Sequence, residues 1–270
     1  MFLVDILIYS IPSQSLPQLV DHNVSFPADT PDPGQARTAA VALAESVADR
    51  TYYNNGNPAL LDLLETNCKF ILDVGCGSGD NARLLKERRP QSIVFGITLS
   101  QTELEAASQD LEAGWVADIE TSDLAFLGSR TFDAIIFSHV LEHLREPPKI
   151  LERFLRFLKP EGFLLIAVPN VLVWSQRLKF MAGQFEYLNG GVLDDTHLRF
   201  FTYLTADQYL VSNLAGLRIT RKSVSGSVPL WLLRRHVFPQ RLSAWLDRIG
   251  CKVYPNLFGD QVLIQARKRS

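Results

Sequence analysis

Three groups of residues in this chain of 270 residues have types and spacings suited to chemistry. The first is Phe70-Ile-Leu-Asp-Val-Gly-Cys-Gly-Ser-Gly-Asp80, where an apolar run ends in Asp73 and glycines follow at 75, 77 and 79. Alternating glycines let the backbone turn sharply and let a ligand approach where any Cβ would intrude. A dinucleotide loop reads G-x-G-x-x-G and aims a helix amino end at a pyrophosphate. Here the last of those positions is Asp80, whose carboxylate repels phosphate although it suits a helix start. The loop therefore favours a ligand without phosphate. The second group is His139-Val-Leu-Glu-His143. It fits H-x-x-E-H, in which two histidines on one helix hold zinc and the Glu activates water. That pattern needs a helix, whereas this run begins at the end of a strand-like segment, so no metal is assigned. Glu142 and His143 read as organisers of a loop through hydrogen bonds, with His143 also a candidate base. The third group is Asp194-Asp-Thr-His-Leu-Arg199, set among aromatic residues just after Gly190-Gly191. A polar run of this kind suits a lid over a polar acceptor. His197 is its candidate general base, with Asp195 beside it and Arg199 as orienter of acceptor or cofactor. A structural network tying the lid to the rest of the fold is the competing reading. Cys76 has no base beside it and reads as a small, close-packed residue of the loop.

Elements that alternate between strand and helix must position these groups. Strands are expected at Lys69–Val74, Ser92–Ile97, Gly114–Ala117, Phe132–Ser138 and Gly162–Val168. Between them lie helical segments at Asp80–Arg88 and Gln101–Asp110, a short Ser122–Leu127 piece, and Glu146–Leu158. The last carries Ile150, Leu151, Phe154, Leu155 and Leu158 at close to a 3.6-residue period. Lys159-Pro-Glu-Gly162 fits a type I turn. Such alternation predicts an α/β fold with a doubly wound, mostly parallel sheet. In such a sheet a ligand sits at the carboxyl ends of the strands, where the glycine loop lies. Upstream, residues 1–35 read as an irregular arm, Gln35 to Arg50 as an Ala-rich helix, and Pro58 to Thr66 as a short one. Tyr52-Tyr-Asn-Asn-Gly56 is suited to closing over a ligand. Downstream, 169–204 is the lid and acceptor region. Thr205–Leu214 is expected as a helix, Leu217–Ser223 and Gln261–Arg267 as strands, and 226–258 as an insert. Within the insert, Leu242, Trp245, Leu246 and Ile249 are helically spaced and Gly250 stands where it would stop the helix.

Five ordered motifs carry a resemblance. Asp73-Val-Gly-Cys-Gly-Ser-Gly79 resembles the first motif of the class I S-adenosylmethionine-dependent methyltransferases. Gly96-Ile-Thr-Leu-Ser100 resembles the end of their second strand, and Ala117-Asp-Ile119 the adenine-contacting segment after the third. Phe132-Asp-Ala-Ile-Ile-Phe-Ser-His-Val-Leu-Glu-His143 is similar to the fourth strand with its following element, and Leu158-Lys-Pro-Glu-Gly162 to the turn before the fifth. The resemblance implies a seven-stranded sheet with an antiparallel last strand. It implies that Asp73, Gly75, Cys76 and Gly77 line the methionine moiety, Thr98 and Leu99 the ribose, and Asp118 and Ile119 the adenine. Ser138 and His139 would close the site. Many members have an acid where this chain has Thr98; Glu103, one helical turn on, is the candidate replacement. Segments of the form D-x-x-H-x-R-x-F, here Asp194 to Phe201, recur in methyltransferase-like proteins.

Bulk properties narrow the remaining choices. The chain carries 27 Lys/Arg against 29 Asp/Glu, a net charge of −2 that by itself says little about partners; no nucleic-acid partner is expected. The charge is unevenly spread: residues 218–270 hold eleven Lys/Arg and two Asp/Glu. Trp231, Phe238 and Trp245 among Arg234, Arg235 and Arg241 read as an anionic-membrane face, a lid or a dimer surface. Three cysteines without paired spacing fit a reducing, cytoplasmic setting. No run is long enough to span a membrane, and the apolar start lacks the marks of a signal peptide. The expectation is a cytoplasmic, S-adenosylmethionine-dependent methyltransferase acting at a hydroxyl of a small-molecule or glycan acceptor. The alternatives are a non-catalytic S-adenosylmethionine-binding accessory protein and, disfavoured by Asp80, an NAD-dependent oxidoreductase.

Overall fold

The structure, a computed structural model, describes residues 55–229 and 239–269, all within the unit Glu45–Ser270. The expected arm, the helix from Gln35 to Arg50, Tyr52 to Asn54, and Trp231, Arg234, Arg235 and Phe238 lie outside the described residues.

Helix α1 (Pro58–Leu61) precedes strand β1 (Phe70–Val74), and α2 (Asp80–Arg88), β2 (Ile93–Thr98), α3 (Gln101–Ala107), β3 (Ala113–Val116) and β4 (Phe132–Ser138) follow. Then come α4 (Pro147–Phe154), β5 (Leu158–Pro169), α5 (Trp174–Met181), α6 (Ala206–Leu210) and β6 (Leu217–Gly226). Beyond the gap lie α7 (Gln240–Val253), α8 (Pro255–Phe258) and β7 (Gly259–Lys268). Among the described residues the strands form one sheet in the order β3-β2-β1-β4-β5-β7-β6. The first five are parallel, and β7 runs antiparallel to both β5 and β6. The expected doubly wound sheet with an antiparallel last strand is thus observed.

Alternation along the strands divides the core between two faces. Leu72, Val74, Ile135, Phe137, Leu164 and Ile166 pack on one face against Ile150, Leu151 and Phe154 of α4 and Ala206 and Leu210 of α6. Ile71, Ala134, Ile136 and Leu165 pack on the other against Leu60 and Leu61 of α1, Ala82 and Leu85 of α2, and Ala107 of α3. Asp133 ties the sheet's amino-terminal edge together. Its Oδ2 accepts from the backbone N–H groups of Lys69 and Phe70, while Lys159 Nζ donates to its Oδ1 at 2.7 Å.

Several local expectations are corrected. The helix expected to reach Leu158 ends at Phe154, a 3-10 turn covers Leu155–Phe157, and Leu158 already pairs with Phe132. Glu161 has φ 64°, in the left-handed region that a type I turn excludes, so Lys159 to Gly162 forms an irregularity inside β5. Gly250 does not stop a helix. It lies inside α7, where a Cβ would stand 2.2 Å from Val228 Cγ2, so close packing demands the glycine. Helix α5 was not expected within the lid region. Its burial is slight, with Gln176 buried and Leu178 and Met181 exposed, so its sequence carries little apolar period.

Phe154 is fully buried and meets Phe137 edge-to-face at 5.3 Å between ring centroids. Phe154→Ala is expected to cost about 3–5 kcal/mol of folding free energy, read from the urea midpoint at unchanged slope.

Candidate functional site

Strand β1 pairs with β2 on one side and β4 on the other, so the chain's crossovers diverge at its carboxyl end. That divergence opens the crevice in which ligands of this architecture bind. The loop after β1 is built to line it. Gly75, Gly77 and Gly79 all have positive φ, at 75°, 51° and 82°. The N–H groups of Gly75 and Cys76 both donate to Ile97 O, which fastens the loop to the end of β2. A Cβ on Gly75 would stand 2.3 Å from Val140 Cγ2, and one on Gly79 would stand 2.8 Å from Ala107 Cβ. Cys76 Sγ fills the space that a side chain at Gly96 would need, and burial pushes its thiol pKa up, as a close-packed, unreactive cysteine requires.

Asp73 is fully buried beneath this loop, and neither carboxylate oxygen has a hydrogen-bond partner among the described residues. Burial pushes its pKa up to about 7; the nearby Asn81 amide offsets part of that rise and Asp80 adds to it. On the neighbouring strand, the buried Thr98 hydroxyl donates to Glu103 Oε2 at 2.5 Å, so the two form one hydrogen-bonded unit at the end of β2. Ser100 accepts from the Glu103 N–H and starts α3 at this point. Leu99 is exposed and Ile119 buried. The Asp118 carboxylate accepts from Glu120 N and Thr121 Oγ1, which shapes the loop after β3.

Beyond β4, a polar net crosses several elements. Asn57, the N-cap of α1, donates from Nδ2 to Gln261 Oε1 at 2.8 Å and to Ser138 Oγ at 3.3 Å. Its own N–H donates to Asn81 Oδ1. His139 adopts a left-handed φ of 56° and bonds through Nε2 to Gln261 Oε1 at 2.9 Å. Its Nδ1 stands 3.3 Å from Glu142 Oε1, within ion-pair reach but out of hydrogen-bond alignment. Burial opposes the charged ring, but Glu142 and Gln261 outweigh it and raise the His139 pKa.

The second and third groups of the sequence meet here. The Glu142 carbonyl accepts from the N–H groups of Leu198 and Arg199 at 2.8 and 2.9 Å, pinning the lid to the turn after β4. The rings of His143 and His197 meet edge-to-face with centroids 4.8 Å apart. His197 Nδ1 lies 3.0 Å from Val192 O; a carbonyl only accepts, so Nδ1 carries the proton and Nε2 the lone pair. The Thr196 hydroxyl donates to Asp194 Oδ1, and so it accepts from His143 Nδ1 at 3.0 Å. His143 Nε2 is therefore also a lone-pair nitrogen. Burial lowers the His143 pKa, with nearby His197 acting in the same direction. Asp194, despite burial, is held below the usual carboxylate range by its two hydrogen bonds from Thr196 and by both histidines. Buried Glu142 completes the cluster, and neither of its carboxylate oxygens accepts a hydrogen bond among the described residues.

The structure thus brings His143 and His197 together with Glu142. It brings in Asp194 where Asp195 was expected, for the Asp195 side chain is exposed, while its N–H donates to Leu188 O. Arg199 turns away from the histidines and donates from Nε and Nη2 to Arg145 O. Asn57, Asn81 and Gln261 were not expected at the site. Asn57 before Pro58 is a readable helix-start signal, but its contacts with Ser138 and Gln261 span more than 80 residues of sequence.

Asp73 yields a pH dependence. Its proton is held more tightly in the folded, ligand-free protein than in the unfolded chain. Stability from this group is therefore full below the ordinary carboxylate value of 3.8 and is lost as pH rises through about 7. Urea unfolding of wild type and Asp73→Asn across that window is expected to show a falling difference that levels off above it.

A methyltransferase domain model matches residues 52–220. A ubiquinone biosynthesis O-methyltransferase of Neisseria meningitidis is 29% identical over 147 residues, 48% of this chain and 61% of that one. A trans-aconitate 2-methyltransferase of Azoarcus is 35% identical over 102 residues, 37% of this chain and 39% of that one. The chain thus spans less than two thirds of either relative. A solved S-adenosylmethionine-dependent methyltransferase from Archaeoglobus fulgidus shares the fold at a TM-score of 0.52 and 20% identity, covering 75% of this chain and 87% of its own. With the glycine loop, the strand order and the domain match in agreement, the chain belongs to the class I S-adenosylmethionine-dependent methyltransferase family.

Proposed function

We propose that the chain transfers a methyl group from S-adenosylmethionine to a hydroxyl of a small-molecule acceptor, glycan-type polyols included. The residues present fit the cofactor. Asp73 is a buried carboxylate that accepts no hydrogen bond of good geometry among the described residues, with the Asn81 amide nearby, and is suited to a cationic amino-acid end. Gly75, Cys76 and Gly77, in the loop fastened to Ile97 O, would line the methionine moiety. Thr98 and Leu99 would lie at the ribose, with Glu103 offering a further oxygen for its hydroxyls, Asp118 and Ile119 would border the adenine, and Ser138 and His139 would close the far side. Bound there, the cofactor supplies an electrophilic sulfonium methyl.

The observation that carries the hydroxyl assignment is the pair His143 and His197, each with Nδ1 engaged and Nε2 left as a lone pair. A hydroxyl becomes an effective nucleophile when a positioned group withdraws its proton. Two imidazoles whose Nδ1 positions are engaged, beside a carboxylate, can serve that end. Asp195 and Arg199, both exposed on the lid, would meet the acceptor's polar rim. The Neisseria relative, named as an O-methyltransferase, supports the same reading.

Transfer of label from methyl-tritiated cofactor into a panel of hydroxylated metabolites tests it. His143→Ala and His197→Ala should each slow transfer by about 10²–10⁴-fold while calorimetric cofactor affinity stays near wild type. Wild-type rates in both variants would refute the role of the pair; cofactor binding without transfer to any acceptor would favour the accessory reading. Gly75→Ala places a Cβ against Val140 at a backbone angle that L side chains rarely adopt. It is expected to abolish cofactor binding.

A further inference from the structure

We propose that Glu142, His143 and His197 form a site for a first-row divalent metal ion, with Zn2+ the best match to two imidazoles and one carboxylate. The inference rests on reading this cluster as the acceptor end of the site; with the imidazoles engaged as ligands, the ion would act in their place by lowering the pKa of the acceptor hydroxyl, whose proton passes to water.

One ligand atom from each of the three residues lies within 4.8 Å of the others. Zinc bonds of about 2.0–2.2 Å to nitrogen and oxygen require ligand atoms on the order of 3–4 Å apart, so a closure of roughly 1 Å completes the set. The surroundings are those a metal-binding histidine needs. Such a residue donates its other ring N–H to a carbonyl, carboxylate or hydroxyl, which fixes the tautomer and orients the ring. His197 does so to Val192 O. His143 does so to Thr196 Oγ1, which passes the bond on to the Asp194 carboxylate. Glu142 is only 1% exposed, and neither of its oxygens accepts a hydrogen bond among the described residues. A carboxylate buried in that state is costly unless a cation meets it. His139, at ion-pair distance from Oε1, is half-exposed and is already engaged by Gln261 through its other nitrogen.

Two imidazoles select a borderline transition ion over Mg2+ or Ca2+, which prefer all-oxygen sets. Three protein ligands leave a fourth position open, the arrangement of catalytic rather than structural zinc. A cation there lowers the pKa of a bound oxygen. The site also differs from the linear H-x-x-E-H pattern. That pattern would pair His139 with His143 along one helix, whereas here the second imidazole comes from the lid, 54 positions after His143.

The test uses the full chain stripped with EDTA and titrated with ZnCl2 in a calorimeter, with no methyl donor or acceptor present. Co2+ titration followed by visible absorption runs in parallel. Stoichiometric Zn2+ binding is expected, with Co2+ bands of nitrogen and oxygen ligation. His197→Ala should weaken binding by more than about tenfold, and the outer Thr196→Val by about 10–100-fold. Circular dichroism checks that each variant is folded; Glu142→Gln is added if it passes. Absence of Zn2+ binding, thiolate charge-transfer bands from Co2+, or unchanged affinity in both His197→Ala and Thr196→Val would overturn the site. Failed metal binding with intact label transfer overturns this inference alone. Metal binding with no label transfer overturns methyl transfer alone and sustains the site.

Discussion

Two carboxylates held out of water without hydrogen bonds constrain this fold more than any other feature. Asp73 lies at the end of β1 and Glu142 in the turn after β4, on neighbouring strands of the sheet. Each is expensive, because a buried group that has lost its water needs compensation. Asp73 meets the cost in the ligand-free protein by holding its proton to about pH 7. Both residues make sense as groups whose partners arrive from outside: a cationic ligand end over the glycine loop, and a cation or a hydroxyl beneath the lid. Strain marks the same region. His139, at ion-pair distance from Glu142, sits in left-handed backbone that costs a residue with a Cβ on the order of 1–3 kcal/mol.

The sheet makes these positions available. Because β2 and β4 lie on opposite sides of β1, the loops after β1 and β4 border one crevice, and residues far apart in sequence face it together. The glycine loop can lie flat there only because its N–H groups are fastened to Ile97 O and its Cβ-free positions fit against Val140 and Ala107. The core on both faces fixes the strands, so the crevice is rigid where the ligand's reactive end must be placed.

The segment 169–204 is held differently. Its polar run is attached through the Glu142 carbonyl and through a parallel bridge between Asn170 and Phe201, while Phe185, Tyr187 and Leu188 remain exposed. A single residue, Glu142, therefore does two things: its backbone carries the lid and its side chain faces the histidines that the lid completes.

The residue pattern alone determined the five parallel strands, the helices between them and the glycine loop, because these follow from local rules. Strand-length apolar runs alternate with helical periods, glycines recur where positive φ is needed, and an acid sits at a helix start. Thr98 with Glu103 was legible for the same reason, since five residues across a strand end and one helical turn is a short-range relation. Other features were decided only by tertiary structure. Gly250 matches a helix stop in sequence and is a packing residue because Val228 lies against it. Asp194 and Asp195 are indistinguishable by type and spacing, and only the turn that buries the first points it at Thr196. His143 and His197 become a pair only when the lid folds back onto the turn after β4. Contacts across that many residues depend on the packing of whole elements, which no local spacing encodes.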